Sequence, residues 1–173
     1  LSDNSTITAD RFIISGENSA LEIDVINGGD FSIEGADFIL GRLVNQTDAS
    51  ASWNALSLSA DSVALSGLSD IELSGTNFSL TTSQSDQTAA VNWSEQSLSM
   101  DTDSGALGLD LTADQLGDFT ASGALTLGMA GSAQVSGDLT LERMLGQSVS
   151  LSDNTTISSN LLAFSADNAE IFV

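Results

Sequence analysis

The chain has 173 residues, with 24 Asp and Glu against three Arg, no His, no Cys and no Pro, and a formal net charge of −21. That balance excludes a nucleic-acid phosphate backbone as partner and disfavours anionic membrane surfaces, because both need clustered Lys and Arg. Without His, Cys, Lys or Tyr there is no Ser-His-Asp triad, thiolate nucleophile, Schiff base or nitrogen metal ligand, and no pair among the carboxylates stands out for glycosidase chemistry. An enzyme is not expected. Yet 41% of the residues are hydrophobic, which separates this chain from a disordered acidic tail.

The chain begins "LSDNSTI" (Leu1 to Ile7) and repeats the phrase as "LSDNTTI" (Leu151 to Ile157). Holding the offset at 150, eight of the 23 paired positions are identical, and Ser15, Asn18 and Leu21 fall on Ser165, Asn168 and Ile171. The simplest expectation is a tandem array, with 1–150 as one period and 151–173 as the start of the next. A second echo lies within the period. "FSIEGADFIL" (Phe31 to Leu40) returns as "IELSGTNFSL" (Ile71 to Leu80), and "WNALSLSAD" (Trp53 to Asp61) returns as "WSEQSLSMD" (Trp93 to Asp101), both at an offset of 40. "ISGENSAL" (14–21) is echoed by "LSADSVAL" (58–65) at 44. Modules of about 40 residues are therefore expected at roughly 14–53, 54–93 and 94–150, the last more diverged.

In chain order the segments 55–60, 62–67, 70–75, 77–82, 123–129, 132–142 and 148–158 alternate apolar and polar residues, which predicts strands. Between them "NGGD" (27–30), "EGAD" (34–37), "SGTN" (74–77), "SGD" (136–138) and "SDN" (2–4 and 152–154) read as turns. Only "TADQLGDF" (112–119) and "LERMLGQ" (141–147) are helix-like. The fold class is all-β. The ladder of similar corners favours an elongated, β-solenoid-like stack, with a string of small antiparallel β-sandwiches as the alternative. No segment approaches the roughly 18 apolar residues of a spanning helix, so membrane insertion is not expected.

"DTDSG" (Asp101 to Gly105) alternates carboxylates as a calcium loop does, but lacks a closing Glu; a polar turn explains it as well. Recurrent corner acids (Asp3, Asp37, Asp61, Asp153, Asp167) would repel one another if stacked, unless a cation intervened. On these grounds Asp101, Asp103, Asp61 and Asp167 are the candidate calcium ligands. Trp53 and Trp93 read first as core fillers and second as sugar-stacking platforms. Arg11, Arg42 and Arg143 are expected to pair locally with carboxylates. Five N-x-S/T sequons, at Asn4, Asn45, Asn77, Asn92 and Asn154, are no more than such a composition produces by chance.

The stretch Val135 to Val173 resembles the repeat regions of very large secreted or surface proteins of marine and other Gram-negative bacteria. There a strand ending in an acidic-basic pair precedes a "V-x-L-x-D-x-T" strand and a short "xNxxxFV" close; Leu141 to Arg143, Val149 to Thr156 and Asn168 to Val173 hold those places. The resemblance implies an extracellular or cell-surface tandem-repeat protein with structural or adhesive duty, often calcium-loaded. The nonapeptide of calcium-binding β-rolls is absent. The expected partners are neighbouring repeats of the same chain and identical chains in a filament.

Overall fold

The computed structural model describes residues 1–25, 29–67, 71–96, 98–103, 105–129 and 133–173. The chain is all-β. Seven strands, β1 (Ala9–Val25), β2 (Gly29–Asn45), β3 (Ser52–Ser66), β4 (Ile71–Ser85), β7 (Phe119–Met129), β8 (Ala133–Ser150) and β9 (Thr156–Phe172), form one sheet. Its order is β1-β2-β3-β4-β7-β8-β9, and each neighbouring pair is antiparallel. Between β4 and β7 the chain makes an excursion, residues 86–118. It carries two 3₁₀ turns (Trp93–Gln96 and Ala113–Gln115) and a hairpin of β5 (Ser99–Thr102) and β6 (Gly105–Gly108).

This pairing differs from the stacked parallel coils favoured by the ladder of corners, and from a sandwich of two matched sheets. A parallel coil needs each corner motif to end a strand, whereas most of these motifs lie inside strands. Gly35, Gly75 and Gly137 sit inside β2, β4 and β8, which run 17, 15 and 18 residues. A strand of 17 residues spans about 55 Å, roughly three times the usual length. Among the described residues the two "SDN" phrases close turns, whereas "EGAD", "SGTN" and "SGD" run on within strands; Asn27 and Gly28 of "NGGD" lie outside the described residues. "LERMLGQ" belongs to β8 rather than to a helix, and "TADQLGDF" supplies only the second 3₁₀ turn.

In β2 and β4 these motifs correct the phase of the side chains. In β2 the apolar residues Phe31 and Ile33 occupy odd positions, while Ala36, Phe38 and Leu40 occupy even ones. A regular strand would send the two groups to opposite faces. Gly35, at φ 62°, breaks the alternation, so Ile33 and Ala36 join one buried cluster with Ala60 and Val63. The same slip occurs at left-handed Asn18, Asn77 and Asn168 in β1, β4 and β9. Short polar Asn tolerates that conformation better than any residue but Gly. β7 and β8 need no slip where they pair: Leu125, Leu127, Val135, Leu139 and Leu141 keep one parity, and the ladder runs unbroken from Phe119–Arg143 to Met129–Ala133.

Thus one sheet face is apolar along its length. Cross-strand partners share a face, and one row runs Gly16, Phe38, Leu58, Leu80, Ala121, Leu141, Phe164. The opposite face is covered only at one end, where the excursion packs onto β2 and β3. There Ile39, Leu43, Trp53 and Ala55 meet Val91, Trp93, Leu98, Leu109 and Leu111 in the larger core cluster. Gly41 permits this approach: a Cβ there would lie 2.5 Å from Leu109 Cδ1 and 3.2 Å from Trp93 Cζ3.

The module edges expected at 53/54 and 93/94 fall inside β3 and inside the first 3₁₀ turn.

Candidate functional site

Where the strands change phase, an open acidic groove crosses β1, β2 and β3. Glu17, Asn18, Gly35, Asp37, Asp61 and Asp103 line it. The Asn18 N–H donates to Asp37 Oδ1 at 2.9 Å, tying the β1 bulge to β2. The Asp103 N–H donates to Glu17 Oε2 at 2.9 Å, tying the β5–β6 hairpin to β1. A Cβ on Gly35 would stand 2.4 Å from Asp61 Oδ2, so the carboxylate of Asp61 lies over the glycine.

Of the four candidate calcium ligands, only Asp61 and Asp103 share this groove. Asp101 lies on the exposed β5, opposite Ala106. Asp167 lies on β9 opposite Asp138. β9 is four places from β3 in the sheet, or about 19 Å at the usual strand spacing. In "DTDSG" the Thr102 hydroxyl donates to the Gly105 carbonyl, which closes a hairpin turn; Ser104 lies outside the described residues. Among the described residues no group of three or more His, Cys, Asp or Glu is arranged to hold a metal ion. The four acids are therefore not brought together, because the meander spreads across the sheet what a coil would have stacked.

Trp53 and Trp93 do not offer ring faces to a ligand. They are 2% and 0% exposed. Trp53 Nε1 donates to the Ala89 carbonyl at 2.7 Å, and Trp93 Nε1 donates to Ser83 Oγ at 3.3 Å. Ser83 is itself buried, so this bond satisfies two polar groups in the core. The two indoles are also not equivalent: one begins a strand and the other a 3₁₀ turn of the excursion. Arg143 donates to the Gly117 carbonyl at 3.3 Å, so its partner is backbone rather than the expected carboxylate.

The two "LSDN" phrases, expected from the sequence to be corresponding turns, are built by the same hydrogen bonds. Asp3 Oδ1 accepts from the Ser5 N–H at 3.0 Å and the Ser5 hydroxyl at 2.6 Å. Asp153 Oδ1 accepts from the Thr155 N–H at 2.9 Å and the Thr155 hydroxyl at 2.6 Å. Asn4 and Asn154 are both left-handed, at φ 62° and 64°, and each donates its N–H 3.0 Å to the Leu that opens the phrase. The hydroxyl bond, followed by the backbone bond, holds both carboxyls below the ordinary value of 3.8. In the strands that follow, Asn18 and Asn168 form matching bulges. Asn18 bonds forward to Asp37 of β2, and Asn168 Nδ2 donates back to Asp138 Oδ2 of β8 at 3.2 Å.

No protein-family model, no curated protein and no solved structure matches this chain. No helix among the described residues is long and apolar enough to cross a membrane.

Proposed function

We propose that the chain is a structural repeat of an elongated extracellular fibre or stalk, in which successive copies lengthen one antiparallel sheet. The observation that carries this reading is the equivalence of the two edge strands. β9 repeats β1 in sequence, in running direction, in the turn that precedes it and in the position of its left-handed Asn. The extracellular placement follows from the resemblance to repeat regions of giant surface proteins. The net charge of −21 keeps such an array soluble through mutual repulsion and gathers counter-ions along its length.

Negative-stain electron microscopy of chains with several concatenated periods tests the reading. An unbroken body that grows in proportion to copy number supports it; separate beads on a string overturn it. Cation dependence is checked in parallel, by comparing calcium with a monovalent salt at matched ionic strength. Equal melting temperatures mean general screening, and a higher one in calcium means discrete sites. The alternative, a glycan-binding adhesin module, depended on Trp53 and Trp93 as platforms, and their burial removes that support. Weak acrylamide quenching and no sugar-induced emission shift are the expected results.

A further inference from the structure

The sheet has two open edges, and they are formed by corresponding strands. β1 has its partner, β2, on one side only; β9 has its partner, β8, on the opposite side only. Both strands run the same way, since six antiparallel steps separate them. Both also turn the same apolar positions to the same face. Phe12, Ile14 and Leu21 correspond to Leu162, Phe164 and Ile171, and all six are large apolar residues with more than two fifths of their surface exposed. The β1–β2 ladder is thus a template for the open side of β9.

We propose, resting on the array reading, that the open edge of β9 accepts the β2 strand of a following copy, so that one strand serves both copies. The register is set by the existing ladder. Phe12 pairs with Arg42, Ile14 with Leu40 and Leu21 with Ile33. Leu162, Phe164 and Ile171 therefore pair with Arg42, Leu40 and Ile33 of the next copy. The N–H of Asn168 goes to the next copy's Asp37, as the N–H of Asn18 goes to Asp37 within this one. Asn168 is then fastened on both sides, with its side chain already on Asp138. The row that contains Ile14 reaches β9 at Leu162 rather than at Phe164. Each copy consequently steps two residues along the strand direction, roughly 7 Å.

The test uses a chain in which residues 1–173 run directly into a second copy of residues 24–173. The natural chain has no Cys, so an introduced pair holds the only thiols. Leu162→Cys in the first copy with Arg42→Cys in the second is expected to form a disulfide in most molecules, because directly paired strand residues lie within disulfide reach. Leu162→Cys with second-copy Leu40→Cys, two residues out of register, is expected to bridge at least tenfold less. In the unsubstituted two-copy chain, amides of 159–172 are expected to exchange at least tenfold more slowly than in the single chain. Equal bridging at both positions, or unchanged exchange, overturns the proposal. Continuous bodies in the microscope without the in-register bridge leave the array standing and discard this junction. Beads with unchanged exchange discard both.

Discussion

The two halves of the sheet carry similar alternating strands in unlike surroundings. On β2 and β3 the face under the excursion is closed: Ile39, Trp53 and Ala55 are each 2% exposed. On β8 and β9 the excursion reaches β8 at Arg143 and Leu145 through Gly117 and Asp118, and Leu139 is the single buried large residue among the described residues there. Leu162 and Phe164 stand 67% and 63% exposed at positions whose counterparts in the other half are flanked by β2. Strand pattern alone does not make a core. Burial here comes from residues 86–118, which fold back and place Trp93 on Gly41.

This contrast is most sharply tested by deleting side chains from each half. Trp93→Ala is expected to cost about 3–5 kcal/mol, the range for a buried aromatic, read as a fall in the urea midpoint. Leu162→Ala in the single chain is expected to stay within about 0.5 kcal/mol of the parent; a comparable loss at both would mean the second half is closed in solution. A smaller effect is expected from filling the close approach. Gly41→Ala should cost about 1–3 kcal/mol by overpacking against Leu109 and Trp93. Gly128→Ala, whose Cβ would meet nothing closer than 3.7 Å, should be neutral or slightly stabilising.

At the phase corrections, Asn168→Ala is expected to cost about 1–2 kcal/mol, because a Cβ-bearing residue without a local polar group is strained in the left-handed region. Asn168→Gly should relieve that strain, so Ala and Gly variants with equal midpoints would discard the phase-correcting role. The smallest effect concerns the paired turns. The carboxyls of Asp3 and Asp153 are depressed by the Ser5 and Thr155 hydroxyls and N–H groups. Their contribution is full above the ordinary value of 3.8 and is lost as pH falls through the lower folded value. Both turns should therefore loosen together on acidification, seen as faster exchange of the Ser5 and Thr155 amides. Asp153→Asn should abolish the pH dependence at Thr155 alone.

Much of the strand content was legible because the period of two is a direct consequence of backbone pleating. The turn at "SDN" was legible for a similar reason, since Asp bonds its own chain two residues on. The mid-strand corners were not, because Gly and Asn signal a left-handed residue without saying whether the chain then reverses or continues. The change of parity across Gly35, from Ile33 to Ala36, was the available clue. The acidic groove was partly legible: Asp37, Asp61 and Asp103 carried a signal as corner or loop acids, whereas Glu17 acquires its place only when β1 and β2 pair. Asp101 and Asp167 were grouped with them by sequence likeness, which fixes no distance between strands.

What the sequence by itself determined is local: the all-β character and the two echoing turns. These follow from residue chemistry and from periodicities of a few residues. The tertiary structure alone decided that the strands pair as an antiparallel meander, that one excursion seals one end around two indoles, and that the two edges are corresponding strands. Each of those depends on which distant segments share hydrogen bonds, and a repeated alternating pattern is compatible with many such pairings.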